Sequence, residues 1–323
     1  MMKKIHCLNA ISKYGTDLLT EDYELTERLE EADGILVRSA AMHEMELPYR
    51  LLAVARAGAG VNNIPLEKCA EKGVVVFNTP GANANGVKEL VLASLILASR
   101  DVIGGIQWCQ SIKDDPDIAK TVEKGKKAFA GREIRGKKLG VIGLGAIGAE
   151  VANAAASLGM EVLGYDPFIS VSAAWMLSRD VRHITDIDAI YSECDYITVH
   201  VPLLDSTRHM LGAEEIARMK KDAVIINTAR GGLVDDVALV QAVRTGKLAG
   251  AGVDVVEQEP LPVGHPLLTE PNIIVTPHIG GGTADIGNVI LPMLVQDIQN
   301  FVAGKFPAHV VNKDYLSSIL LQA

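Results

Sequence analysis

Residues 138–148 read Lys138-Leu139-Gly140-Val141-Ile142-Gly143-Leu144-Gly145-Ala146-Ile147-Gly148, an apolar run turning through G-x-G-x-x-G into a helical pattern that reaches about Leu158. Each glycine has a steric task. Gly143 permits the tight turn, Gly145 lets a pyrophosphate approach the backbone, and Gly148 lets helix and strand pack closely, while the helix start offers unpaired N–H groups at Ala146 and Ile147. A second apolar run, Glu161-Val162-Leu163-Gly164-Tyr165, ends in Asp166, 18 residues after Gly148. An acid there accepts hydrogen bonds from both ribose hydroxyls and repels a 2′-phosphate, and no Arg or Lys follows in Pro167-Phe168-Ile169. The pattern predicts a dinucleotide site selective for NAD.

Working outward, short uninterrupted apolar runs recur at 139–142, 162–165, 196–199, 223–226, 251–254 and 273–275, separated by helical patterns. Such runs predict parallel strands covered on both faces. The fold class is therefore α/β, a doubly wound Rossmann domain over residues 101–284. Weaker runs at 3–8, 34–37, 52–55 and 74–77 and a helix from about Val87 to Ser99 predict a smaller, flavodoxin-like α/β domain. The helical pattern 284–304 has no strand after it and must bury its apolar side elsewhere, so it is expected to return to the first domain. That domain would be discontinuous, residues 1–100 plus 285–323, with a cleft between it and the Rossmann domain.

The net charge of −9 argues against a nucleic-acid partner, and 4% aromatic residues give no platform for stacking bases. The basic run from Lys124 to Lys138 reads as a solvated connecting loop. Cys7, Cys69, Cys109 and Cys194 stand too far apart for a metal pair or a disulfide framework, which fits a reducing compartment, and no metal is expected. No apolar stretch is long enough to span a bilayer, and Met1–Ala10 lacks the apolar run of a signal peptide. A cytoplasmic protein is expected, and the apolar helical stretch from about Leu90 to Ile112 would support a homodimer contact.

Three charged groups follow strand ends in the second half of the Rossmann domain, where open α/β sheets place ligand chemistry. Arg230 ends INTAR before Gly231-Gly232, Glu259 stands in VVEQEP, and His278 stands in TPHIGG. A lone Arg is commonly a surface ion pair and a lone His a polar loop residue, which is the reading for His6, His43, His183, His209, His265 and His309. Glycines beside Arg230 and His278 instead suit backbone packed close to a ligand. INTARGGLVDD, GVDVVEQEP, TPHIGG and His200-Val201-Pro202, in this order and spacing, resemble the D-2-hydroxyacid dehydrogenase family across nearly the whole chain. The resemblance implies that Arg230 holds a substrate carboxylate and polarises the adjacent carbonyl, that His278 exchanges a proton, and that Glu259 orients the imidazole, with Glu257 a nearby decoy. It also assigns His200, Pro202, Thr228, Asp254 and Gly280 to the cofactor, Asp254 near the nicotinamide carboxamide.

Within that family the strings VRSA, RAGAGVNNI and NTPGANANGVKELVLA most resemble the branch that oxidises 3-phosphoglycerate. A doubly anionic substrate needs cations beyond Arg230, and Arg38 and Arg56 are the candidates. Ala57 and Gly58 would offer N–H groups to a carboxylate as a nest, with Asn78 framing the cleft. Some members of that branch carry a second Arg where this chain has Ala40. Other small 2-hydroxy acids (hydroxypyruvate, glyoxylate, lactate) are the alternative substrates, and an NAD-sensing corepressor that binds protein partners, a class that resembles this family, is the alternative function. Long members continue into a serine-binding module, so with the chain stopping at Ala323 feedback through such a module is not expected.

Overall fold

The computed structural model describes residues 2–9, 11, 13–305 and 307–313, so the last ten residues of the expected 285–323 segment lie outside them. The chain forms two compact units, residues 1–83 with 282–323, and residues 84–281.

Among its described residues the first unit holds a five-stranded parallel sheet: β1 (Lys3–Cys7), β2 (Tyr23–Leu25), β3 (Gly34–Val37), β4 (Ala53–Arg56) and β5 (Val75–Phe77), in the order β2-β1-β3-β4-β5. This is the flavodoxin-like order. Alternate side chains leave opposite faces. Leu36, Ala55 and Phe77 pack against Ile290, Leu291, Leu294 and Ile298 of helix Gly287–Val302, while Ile35, Val54 and Val76 pack against Met42, Leu47 and Cys69. The returning helix therefore completes the core of this unit. After it, Val310 bridges Phe77 antiparallel, and the buried Asn312 side chain accepts from Val76 N and donates to Val74 O.

The second unit holds β6 (Lys138–Ile142), β7 (Glu161–Tyr165), β8 (Val181–His183), β9 (Tyr196–Val199), β10 (Ala223–Asn227), β11 (Leu248–Val253) and β12 (Ile273–Val275). Their order, β12-β11-β10-β9-β6-β7-β8 with every pair parallel, is the doubly wound arrangement with its switch point between β6 and β9. Ile225 faces one core and Val224 and Ile226 the other, which is why these strands read as unbroken apolar runs. One helix departs from expectation. Ala84–Ser99 groups with the second unit, moving the break from 100/101 to 83/84, because its Val91 and Leu95 pack with Leu139, Val141 and Ile226.

Three local expectations are corrected. The Leu90 to Ile112 stretch is two helices, since Asp101 caps a new one, Val102–Ser111, by accepting from Gly104 N. The basic run is not a loop throughout, because Lys124 ends helix Ile118–Gly125 and Lys138 begins β6, paired with Glu193 at 2.8 Å. His6 and His183 lie on β1 and β8, not in loops. No helix among the described residues is long and apolar enough to cross a membrane.

Leu294 is 1% exposed at the centre of the first unit's core. Leu294→Ala should cost about 2–5 kcal/mol, the range for a truncated core leucine, read as a lowered urea midpoint. A midpoint within error of wild type would mean that the returning helix does not hold this core together.

Candidate active site

The glycine turn between β6 and helix Ala146–Ser157 fits a dinucleotide. Gly143 is left-handed at φ 92°, and a Cβ at Gly148 would stand 1.8 Å from Gly143 O, so neither tolerates a side chain. A Cβ at Gly145 would meet nothing within 4 Å, which leaves open space over the helix N-terminus and the N–H groups at Ala146 and Ile147. Asp166 closes the turn from the end of β7. Its Oδ2 accepts from Leu144 N at 2.8 Å and its Oδ1 from Phe168 N at 2.9 Å, so the carboxylate is locked beside the glycine turn.

His200 lies beneath the turn, its backbone 2.8 Å from where a Gly143 Cβ would stand. The ring is buried and Nε2 shares a 3.0 Å hydrogen bond with Thr198 Oγ1, so the side chain serves as a floor for the turn and not as a group facing solvent. Desolvation pushes the ring's pKa down to about 4, which keeps it neutral. Among the described residues its Nδ1 and the Thr228 hydroxyl are buried without protein partners, and orphaned polar atoms at the strand ends are what a cofactor would satisfy. Pro202 follows in an exposed loop, its carbonyl accepting from Thr207 Oγ1.

The three charged residues follow neighbouring strands. Arg230 comes after β10, Glu259 after β11 and His278 after β12. His278 Nδ1 and Glu259 Oε2 are 2.8 Å apart, which identifies Glu259 and not Glu257 as the imidazole's partner. The pair is half exposed, leaving Nε2 on the far edge of the ring to meet a ligand. Arg230 is exposed, and its Nη1 donates to the neutral carbonyl of Ala229 at 2.6 Å. Among the described residues no carboxylate is paired with it, so its charge remains for an anion. Asn227 fixes this turn by donating to Arg230 O and accepting from Ala229 N.

His278 has a left-handed backbone, φ 56°, which costs a non-glycine residue about 1–2 kcal/mol. Asp254 offsets that cost. Its carbonyl accepts from His278 N at 2.9 Å, while its carboxylate, 3% exposed, accepts from Thr276 Oγ1 (2.6 Å), Ile279 N (2.8 Å) and Gly280 N (2.7 Å). Asp254 is thus first of all the anchor of the His278 loop. A cavity of about 640 Å³ opens beside the pair, its polar lining Asp254, Glu259, Thr276 and His278 and the rest aliphatic or proline.

The nest expected at Ala57–Gly58 is not present. Ala57 N donates to Val37 O, continuing the strand ladder, and Gly58 N donates to Thr79 Oγ1 at 2.9 Å. Arg56 lies with its guanidinium against Gly58, and Asn78 donates to Ala59 O at 2.7 Å. Arg38 is exposed, in a turn where Asn9 Oδ1 accepts from Arg38, Ser39 and Ala40 N.

Residues 93–280 match the family model "D-isomer specific 2-hydroxyacid dehydrogenase, NAD binding domain". The chain belongs to the D-isomer specific 2-hydroxyacid dehydrogenase family. Its second unit is that family's NAD-binding domain, and NAD is its cofactor. It is 39% identical over 295 residues, 90% of its length, to the D-3-phosphoglycerate dehydrogenase of Methanocaldococcus jannaschii, of which it spans only 53%. It is 38% identical over 312 residues to the hydroxypyruvate reductase of Thermotoga maritima, covering 91% of this chain and 97% of that protein. A crystallised protein of Thermus thermophilus superposes with a TM-score of 0.81 at 28% identity, over 95% of this chain and 99% of that one.

Buried His200 gives a pH signature. The unfolded chain takes up its proton near pH 6.5 and the folded chain only near 4, so stability falls as pH falls through that window. Between pH 7 and 5 wild type should lose about 2 kcal/mol that His200→Gln does not lose, measured by urea unfolding at each pH. Equal losses would mean that the ring is not buried neutral.

Proposed function

We propose that the protein is a cytoplasmic, homodimeric NAD-dependent dehydrogenase that interconverts a 2-hydroxy acid and its 2-keto acid, with 3-phosphoglycerate and 3-phosphohydroxypyruvate as the physiological pair, in serine biosynthesis. The observation that carries the reaction class is the 2.8 Å His278–Glu259 pair, after β12 and β11, on the same sheet edge as an Arg230 with no carboxylate partner among the described residues. The substrate reading is supported by likeness to D-3-phosphoglycerate dehydrogenases. The dimer reading is supported by apolar exposure on helix Val102–Ser111, where Val102, Ile103 and Ile106 are all at least 40% exposed.

When bound, NADH supplies the hydride that reaches the keto carbon. Arg230 swings from the Ala229 carbonyl onto the substrate carboxylate, where its planar fork makes two charge-assisted bonds and draws electron density from the adjacent carbonyl. His278 donates its Nε2 proton to the carbonyl oxygen as negative charge develops there. Glu259 accepts from Nδ1–H and keeps Nε2 aimed at the substrate. In the oxidative direction His278 takes the hydroxyl proton back. Asp166 selects NAD by accepting from the ribose hydroxyls. Arg38 and Arg56, with Asn78 beside them, are the proposed contacts for a substrate phosphate.

A second reading, hydroxypyruvate reduction, is favoured by the near full-length match to a hydroxypyruvate reductase and by Ala40. Kinetics separate the two. A recognised phosphate should give phosphohydroxypyruvate at least about a tenfold advantage in kcat/KM over hydroxypyruvate, the value of one charge-assisted contact. Parity would select the second reading. With either substrate, His278→Ala should lower kcat about 10²–10⁴-fold while leaving the Kd of NADH nearly unchanged. A wild-type rate in that variant would remove His278 from the mechanism.

A further inference from the structure

Glu257, two residues before Glu259, is not idle. Its Oε1 is hydrogen-bonded to His209 Nε2, so each carboxylate of Glu257-Gln258-Glu259-Pro260 holds a different histidine. His209 lies on the loop after β9 with a left-handed backbone, φ 51°, and its N–H donates to Gly232 O at 2.7 Å. A β-carbon costs energy in that conformation, and here it aims the imidazole across the Arg230–Gly232 turn to the loop after β11.

The ties of that loop run through a few side chains. Glu257 N donates to buried Asp236 Oδ2 at 3.1 Å, and Val256 N reaches Glu259 Oε1 only at 3.3 Å. Gly231 abuts the same loop, since a Cβ there would stand 1.8 Å from Val256 O. Pro260 can donate no N–H, and Glu259 is itself half exposed. With the ladder ended at Val253, the segment that must hold Glu259 within 2.8 Å of His278 depends on ties to its neighbours.

We propose that His209 and Glu257 form a positioning clamp that stitches the loop after β9 to the loop after β11 and thereby holds Glu259 against the His278 ring. The clamp acts through Glu259, and its effect on turnover rests on the proposed role of His278 as proton donor. Its effect on the His278–Glu259 hydrogen bond does not.

The test uses the full-length apoprotein labelled with ¹⁵N-histidine. The Nδ1–H resonance of His278, assigned by its loss in His278→Asn, reports the bond to Glu259 directly. His209→Gln and Glu257→Gln should each broaden it or speed its exchange with water several-fold. Glu123→Gln, which removes a remote surface pair with Lys126, should leave it unchanged. A His278 resonance identical in wild type and both clamp variants overturns the proposal, whether or not the protein turns over any keto acid.

In the kinetic arm each variant should lose about 2–5-fold in kcat, the effect of an exposed pair, with KM for NADH within about twofold. Placed on Glu259→Gln, His209→Gln should add nothing further, because the clamp's route is already cut. Independent, multiplying losses would make the pair a general stabiliser and refute the clamp. A wild-type chain with no activity on any 2-keto acid would instead sink the dehydrogenase reading, with the NMR result still deciding the clamp.

Discussion

A buried carboxylate with three donors on it organises this active site. Asp254 stands at the end of β11, and its oxygens take one hydroxyl and two backbone N–H groups from the segment that follows β12. Burying an ion is costly unless hydrogen bonds replace its water, and here the replacements all come from the two residues after His278 and the second before it. The charge therefore has one low-energy arrangement, and that arrangement holds His278 in a left-handed backbone conformation with its Nδ1 toward Glu259. Losing the carboxylate would release the loop and the His278–Glu259 pair together.

The doubly wound order supplies the rest. Because β10, β11 and β12 are adjacent and parallel, their carboxyl ends bring Arg230, Glu259 and His278 onto one edge of one sheet, while the switch point beside β6 leaves room for a dinucleotide over Gly143–Gly148. Two histidines in the same unit sit in different surroundings. His200 lies in the apolar floor and stays neutral, serving as a spacer under the glycine turn. His278 is half exposed, with its Nδ1 against Glu259.

Much of this was legible in the residues alone because it depends on local pattern. The glycine turn, the strand-end Asp166 and the unbroken apolar strands have steric signatures within a few residues of each other. The returning helix could be read because an apolar face without a neighbour must find one. Strands β2 and β8 left no such mark, since each is a three-residue edge strand with no buried side chain. The 83/84 break was missed because an apolar helix does not say which sheet it covers. The supporting contacts were the least visible, since Asp254 with Thr276, His200 with Thr198 and His209 with Glu257 depend on loop conformations that spacing does not encode. The E-x-E-P string held a partial signal for the last of these, two carboxylates with several histidines in search of partners.

Substrate residues proved the hardest to read. Backbone N–H groups at Ala57 and Gly58 looked available in a small-residue string, yet strand continuation and the Thr79 hydroxyl take them. The central claim concerns the other side of the chemistry, that Arg230 and His278 act on one small keto acid. A crystal structure of the protein with NADH and oxamate, an unreactive keto-acid mimic, tests it most directly. The account predicts the Arg230 guanidinium moved from Ala229 O onto the oxamate carboxylate, with His278 Nε2 within hydrogen-bonding distance of the amide-carbon oxygen and Nδ1 still on Glu259. Oxamate bound away from both side chains, or Arg230 unmoved with the His278 ring turned from the ligand, would contradict it.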